Sequence, residues 1–266
     1  MIKLSKNNEK KEYETLRKEI IGRYSRKKTL EEYRNYAKQG LWKEEKKLFN
    51  KYLEKGSLIL DLACGSGREA FPLVRMGHKV IGIDNAPPMI RLAKELSKKL
   101  KIKVDFKIGD ATDLKFKDNK FDAVIILYNS WNFISGENNR LKCLEGGYRV
   151  LKPGGYFIFS SHIRRFFSKE MVGWIKQLIK MYFLRYFGYP VREVEWGDVY
   201  YKNKEKVECL YIHKPSLSKI KKQLKMANFN IMEIIIGIER YNKKKNMRKI
   251  KKNYGFFVCK KPDNLT

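Results

Sequence analysis

Three aspartates stand where short apolar runs end. Asp61 closes Leu58-Ile59-Leu60, Asp84 closes Val80-Ile81-Gly82-Ile83, and Asp110 follows the run from Val104 through Gly109. Behind the first comes a turn of small residues, Ala63-Cys64-Gly65-Ser66-Gly67. Glycine lets a backbone turn tightly and approach a ligand with no side chain in the way. A carboxylate accepts both donors of a vicinal diol, or the amino group of a purine. Together these groups suit a nucleoside-type ligand. Gly65-x-Gly67-x-x-Ala70 also fits the G-x-G-x-x-G/A fingerprint of dinucleotide-binding folds, with Asp84 near the expected spacing of about 20 residues. That reading makes the chain an NAD-dependent oxidoreductase. Asp61 argues against it, because a carboxylate at the strand end repels a pyrophosphate. It suits a phosphate-free, cationic ligand, and it can also tie down the turn by accepting backbone N–H groups. No GxxxxGK[ST] loop occurs, so a P-loop nucleotide site is excluded.

The elements that carry these residues alternate. Leu58–Asp61, His78–Asp84, Val104–Asp110, Phe121–Leu127 and Tyr156–Ser160 read as short buried strands. Helices are expected from Arg68, over Met89–Leu100 with Pro88 in its first turn, and over Asn138–Leu151. Pro153-Gly154-Gly155 turns the chain into the fifth strand. Strands alternating with helices predict a parallel sheet covered on both faces, with ligands beyond the carboxyl ends of the strands. Residues 1–55 are charged and helical in pattern, with Gly40 separating two short helices and the tyrosines packing or forming a lid. Lys169–Phe187 reads as an inserted helix ended by Gly188-Tyr189-Pro190. It is either a cap over the site mouth or a basic amphipathic helix at a membrane surface. Glu195–Ile212 predicts a hairpin, and Ser216–Ala227 a helix with Ser216 as N-cap. Asn230–Ile238 and Tyr254–Cys259 predict two strands joined by the basic stretch Asn242–Asn253.

Four motifs in order make the chain resemble the class I S-adenosylmethionine-dependent methyltransferases. Asp61-x-x-Cys64-Gly65-x-Gly67 is similar to that family's first motif, Ile81-Gly82-Ile83-Asp84 to its second and Gly109-Asp110-Ala111 to its third. Leu151-Lys152-Pro153-Gly154-Gly155 is similar to its turn before strand five. The resemblance implies an α/β fold: a Rossmann-like, seven-stranded, mostly parallel sheet with helices on both faces and a terminal antiparallel strand. It divides the chain into an N-terminal helical lid (1–55) and a methyltransferase domain (56–266). The latter holds an inserted cap at 161–213 and closing elements at 214–266. S-adenosyl-L-methionine is the implied cofactor. Asp84 would grip the ribose hydroxyls, and Asp110 with the Ala111 N–H would read the adenine. The implied cofactor set is Asp61, Ala63, Cys64, Gly65, Gly67, Asp84, Asn85, Met89, Asp110, Ala111, Leu127 and Asn129. The loop Tyr128–Phe133 would lie beside the transferred methyl. It lacks the N/D-P-P-Y/F signature of DNA amino-methylating enzymes and looks like the N/D-S-x-N loop of small-molecule enzymes. Tyr128 and His162 are the candidate catalytic groups, with His213 a further candidate base. Tyr24, Tyr33, Arg34 and Tyr36 are candidates to close over the cofactor. A catalytically silent cofactor-binding subunit is the remaining alternative.

Composition bounds the rest. The 266 residues are 43% apolar, enough for a sizeable core. No run approaches the roughly 18 apolar residues of a membrane span, and the polar N-terminal stretch has no signal-peptide core, which predicts a cytoplasmic protein. Four dispersed cysteines and three histidines give no zinc signature, so no metal is expected. The net charge of +30 fits either an anionic partner such as RNA, including tRNA, or a lysine-biased proteome. Without base-stacking aromatic-basic interleaving, the expected acceptor is a nitrogen or oxygen nucleophile of a small molecule ahead of RNA.

Overall fold

The computed structural model describes residues 6–165, 167–168, 170–189, 191–202, 209–242 and 247–263. Lys169 and Pro190, expected at the ends of the inserted helix, lie outside them.

Three helices come first: α1 (Lys6–Tyr24), α2 (Lys27–Gln39) and α3 (Lys43–Tyr52). Then β1 (Leu58–Leu62), α4 (Ala70–Arg75), β2 (Lys79–Asp84), α5 (Pro87–Leu100), β3 (Asp105–Ile108), β4 (Phe121–Ile126), α6 (Glu137–Val150) and β5 (Leu151–His162) alternate. The chain continues through α7 (Met171–Ile179), the hairpin β6 (Asp198–Lys202) and β7 (Cys209–His213), α8 (Leu217–Met226), β8 (Asn230–Asn242) and β9 (Met247–Lys260). The main sheet has the order β3-β2-β1-β4-β5-β9-β8. Its first five strands are parallel, and β9 runs antiparallel to both β5 and β8.

Successive residues of β1 and β4 point to opposite faces, as strand geometry requires. Ile59, Ala123 and Ile125 therefore join one core, with Phe49, Phe71, Ile90 and Leu96. Leu60, Leu62, Val124 and Ile126 join the other, with Leu144, Leu224 and Phe257. Burial on both faces explains why these strands read as unbroken apolar runs. Leu48 and Phe49 of α3 are fully covered in the first core. The end of the 1–55 segment is thus built into the sheet's packing.

Local signals behave as expected at α5, where Pro87 and Pro88 occupy the first turn, and at α8, where the Ser216 side chain accepts the Lys219 N–H at 3.2 Å. Two boundaries differ from expectation. Strand β5 begins at Leu151, so Pro153-Gly154-Gly155 is a bulge inside a strand, with a register shift opposite Phe121 and Ala123. Gly154 has φ +77, and a Cβ on Gly155 would meet two backbone carbonyl oxygens at 2.9 and 3.0 Å. Of the basic stretch expected to join the last two strands, residues 247–253 belong to β9 itself, while 243–246 lie outside the described residues. Strands β8 and β9 stay paired out to Asn242 and Met247, so the ladder absorbs most of that stretch.

Among the described residues no helix is long and apolar enough to cross a membrane, and no cluster of His, Cys, Asp and Glu suits a metal ion.

Candidate functional site

The turn after β1 uses three left-handed residues, Ala63 (φ +54), Gly65 (φ +52) and Gly67 (φ +89). A Cβ on Gly67 would meet Phe71 at 2.8 Å and Phe106 at 2.9 Å. One on Gly65 would press on the Tyr33 ring at 3.3 Å. The carboxylate that ties this turn down is Asp84, not Asp61. Its Oδ2 accepts the Gly65 N–H at 2.9 Å and its Oδ1 the Ala86 N–H at 2.8 Å. Burial raises its pKa to about 6, against the lowering effect of those two N–H groups. Asp61 lies within β1, and its buried Oδ2 has no hydrogen-bond partner among the described residues. Burial, then the nearby Glu69, raise its pKa well above the usual carboxylate range.

A cavity of about 150 Å³ opens over the strand ends. Ala63, Gly65, Asp84, Asn85, Met89, Asp110 and Ala111 from the expected cofactor set lie on its wall. Asp61, Cys64, Gly67, Leu127 and Asn129 do not. Asp61 lies within β1, Cys64 and Gly67 in the turn after it, and Leu127 and Asn129 just past β4. Asn129 gives its N–H to Ser160 Oγ at 3.2 Å, and its buried Oδ1 has no partner among the described residues. Asp110 Oδ1 accepts the N–H and hydroxyl of Thr112, both at 2.9 Å, while Oδ2 is ion-paired with Arg17.

Arg17 belongs to a helix face of which the sequence singled out only Tyr24; Tyr24 and, from α2, Tyr33 do line the cavity, while Arg34 and Tyr36 do not. Tyr13, Arg17, Ile20 and Tyr24 of α1 stand over the cavity at spacing i, i+4, i+7, i+11, one side of a helix. Polar residues dominate α1, so its sequence does not mark this face. The Tyr24 ring meets Tyr33 edge-on at 5.4 Å, and Tyr33 meets Tyr36 at the same distance. Arg34 is taken up outside this layer by Glu95, at 2.6 and 3.1 Å. Arg23 instead holds a buried Nε without a partner among the described residues.

Neither expected catalytic group reaches the cavity. Tyr128 and Asn129 are consecutive left-handed residues at the end of β4, with φ +52 and +66, a strained pair of the kind found at functional sites. The Tyr128 ring is nevertheless turned against Tyr36 at 5.2 Å, Trp42 at 5.4 Å and the Arg68 guanidinium at 4.7 Å. His162 packs edge-on against Tyr254 at 5.4 Å. His213 is buried, with Nδ1 2.8 Å from Asp198, and burial followed by Arg140 lowers its pKa.

Two buried charge clusters brace the site. Arg68 pairs with Glu45 at 2.7 Å and with Glu69, and donates to the Gly40 carbonyl at 2.9 Å. This locks the glycine turn to α2 and α3. Glu195 accepts from Tyr13 at 2.9 Å, the Glu137 N–H at 2.5 Å and Arg140 at 2.6 Å. Burial raises its pKa, but Arg140, His213 and Lys219 overcome that and hold it well below the usual range. The segment before the β6–β7 hairpin is thereby fastened to α1 and α6. No described residue of 161–213 lines the cavity itself.

Residues 59–155 match the family model described as a methyltransferase domain. A demethylmenaquinone methyltransferase of Staphylococcus haemolyticus is 29% identical to this chain, over 87% of this chain and 91% of that protein. One from Thermus thermophilus is 41% identical, but over 38% of this chain and under half, 44%, of its own length. Among solved structures, a SAM-dependent methyltransferase of Methanosarcina mazei has a TM-score of 0.63 at 24% identity, covering 85% of this chain and 100% of that one. Residues 59–155 are thus a methyltransferase domain, and the chain has the fold of S-adenosylmethionine-dependent methyltransferases. Its cofactor is S-adenosyl-L-methionine, and the dinucleotide alternative falls away. The methyltransferase's own residues fit that cofactor. The orphan acceptors Asp61 Oδ2 and Asn129 Oδ1 suit an ammonium or sulfonium cation, and the orphan donor Arg23 Nε suits a carboxylate. Gly65 lets the Tyr33 ring lie close over the turn at the cavity wall, where a side chain would push it away.

Proposed function

We propose that the methyl acceptor is a small molecule of the quinone class, and that the acids at the strand ends hold the cofactor's adenosine. The observation that carries this reading is the roof over the cavity. Tyr13, Arg17, Ile20 and Tyr24 stand above Asp84 and Asp110 and, with Tyr33, Phe133 and Met89, form an enclosure of mixed aromatic and polar character, completed by Glu14, Asn85, Thr112 and Asn139. A roofed cavity of this size suits small molecules better than a polynucleotide strand, and the flat ring that the roof itself covers is the cofactor's adenine. The relative aligned over most of both chains carries a quinone precursor in its name.

In this reading Asp84 accepts the ribose hydroxyls on the lone pairs left free by Gly65 and Ala86. Asp110 and the Ala111 N–H read the adenine edge. Arg17 occupies one Asp110 oxygen, so adenine entry displaces it. Asp61, Asn129 and Arg23 lie off the cavity of the free protein, and their unpartnered buried atoms reach the amino-acid end only if the wall between rearranges on binding. When bound, the cofactor supplies an activated methyl group for in-line displacement. The chain supplies alignment and exclusion of water. No histidine lines the cavity, so neither His162 nor His213 serves as base here. Within the N-terminal segment the lid is formed by α1 and, at Tyr33, by α2, since α3 is part of the core.

The test has two parts. Calorimetry with S-adenosylmethionine should show binding that Asp84→Ala abolishes; equal affinity sinks the site assignment. Turnover with demethylated quinones and with tRNA, followed by mass spectrometry, should place the methyl on the small molecule. Methylated RNA with no methylated quinone would reverse the acceptor assignment.

A further inference from the structure

Helix α7 runs directly into a π-helical turn, Lys180–Leu184. One side of this rod is anchored. Trp174 and Met181 are buried. Gln177 accepts the Gly197 N–H at 3.1 Å and donates to the Asp198 carbonyl. The opposite side is also apolar, yet exposed. Val172 (58% exposed), Ile175, Ile179, Tyr182, Phe183 (59%), Tyr186 and Phe187 (58%) follow one another at helical spacing along it. A surface helix should turn a polar side to water. This one presents a continuous aromatic and aliphatic stripe, a mark of an interaction surface.

Cations flank the stripe and acids beside it are already paired. Lys176 is exposed and Arg185 borders the aromatic end, whereas Lys180 is held by Glu193 and adds no net charge. Glu193 is paired with Lys180 at 2.8 Å, and Glu170 with Lys214 at 3.1 Å. The chain as a whole carries +30. The rod is roughly 20 Å long at about 1.5 Å per residue, shorter than the ~30 Å hydrocarbon core, so it is suited to lie in the plane of a bilayer rather than cross it. Aromatic side chains on one side with lysines that can extend toward headgroups are the composition of an interfacial helix.

We infer that the stripe Val172–Phe187 docks the protein on an anionic lipid surface. The basic field draws the chain to the headgroups, and insertion of Phe183 and Phe187 retains it there. The surface lies off the cofactor cavity, so the inference stands whatever the acceptor is. The test is flotation of the full chain with vesicles of phosphatidylcholine alone or mixed with phosphatidylglycerol, comparing wild type with the double variant Phe183→Ser and Phe187→Ser. Both positions are exposed and the charge is unchanged, and retained S-adenosylmethionine binding confirms that the variant is folded. Wild type should float with the mixed vesicles, and the variant should bind them at least ~10-fold more weakly. Equal binding by the two proteins would mean charge alone and would overturn the docking site, as would failure of the wild type to float. A concentration-dependent dimer dispersed by the same substitutions, or RNA binding lost with them, would assign the stripe to a different partner and equally overturn it.

Discussion

Asp84 is buried, braces the glycine turn and is assigned to the ribose diol, so cofactor affinity should depend on its ionisation. Its pKa in the free protein is pushed up to about 6, chiefly by burial. Two hydroxyl donors need the carboxylate, so the bound form is ionised. At pH 7 about ten in eleven free molecules already carry that form, and at pH 5 about one in eleven. Affinity should therefore weaken about tenfold, or ~1.4 kcal/mol, from pH 7 to pH 5. Asp61, whose pKa is also raised by burial, titrates with the same sign, so the wild-type slope contains both groups. Asp84→Asn isolates the Asp84 share: it should bind more weakly at pH 7 and with a shallower slope. A linked effect on the free protein has the opposite sense. An acid whose folded pKa lies above its unfolded one stabilises the fold at low pH, and that contribution is lost as pH rises through the folded value. Between about pH 4 and 6 the wild type should lose stability relative to Asp84→Asn. Calorimetry with S-adenosylmethionine at pH 5, 6 and 7 and urea unfolding over the same range measure both. A flat wild-type affinity, or identical slopes in the two proteins, would refute the assignment of Asp84.

Three further outcomes follow from the geometry. Gly67→Ala forces a side chain onto φ +89 and into Phe71 and Phe106, and should destabilise the fold by about 1–3 kcal/mol in urea melts. Arg68→Met leaves Glu45 and Glu69 buried without their cation and should cost about 3–5 kcal/mol, with part recovered when Glu45→Gln is added. His162→Ala should leave kcat within about threefold of wild type, because the ring packs on Tyr254 away from the cavity; a loss of about 100-fold would restore it as a base.

How legible this was depended on whether a residue's role was local. The strand-end acids were readable because an apolar run, a turn and an acid are neighbours in sequence. So were the N-cap at Ser216 and the prolines of α5. The partner that holds the glycine turn was not, because Asp84 reaches Gly65 only once β1 and β2 lie side by side. Tyr128 and His162 were plausible from their positions after β4 and β5, but rotamer and packing turned both rings toward aromatic neighbours. Arg17 was hidden because a helix so rich in lysine and glutamate offers many cations and no sequence cue to which one faces inward. Glu195 was hidden as well. It is one of three acids, with Glu193 and Asp198, in a short stretch, and Tyr13, Arg140 and Lys219 come to it from three distant elements.

The position of β9 between β5 and β8 has a consequence for synthesis. Strands β1 to β5 can pair as soon as they emerge, but the open side of β5, with Phe157 and Phe159, waits for residues near 257 to be made. At roughly 5–20 residues per second that wait lasts several seconds. During it the nascent chain presents an apolar, unpaired strand edge. Ribosome-associated chaperones should therefore engage this chain most strongly in that interval, and premature stop codons before β9 should yield aggregates rather than a smaller folded domain.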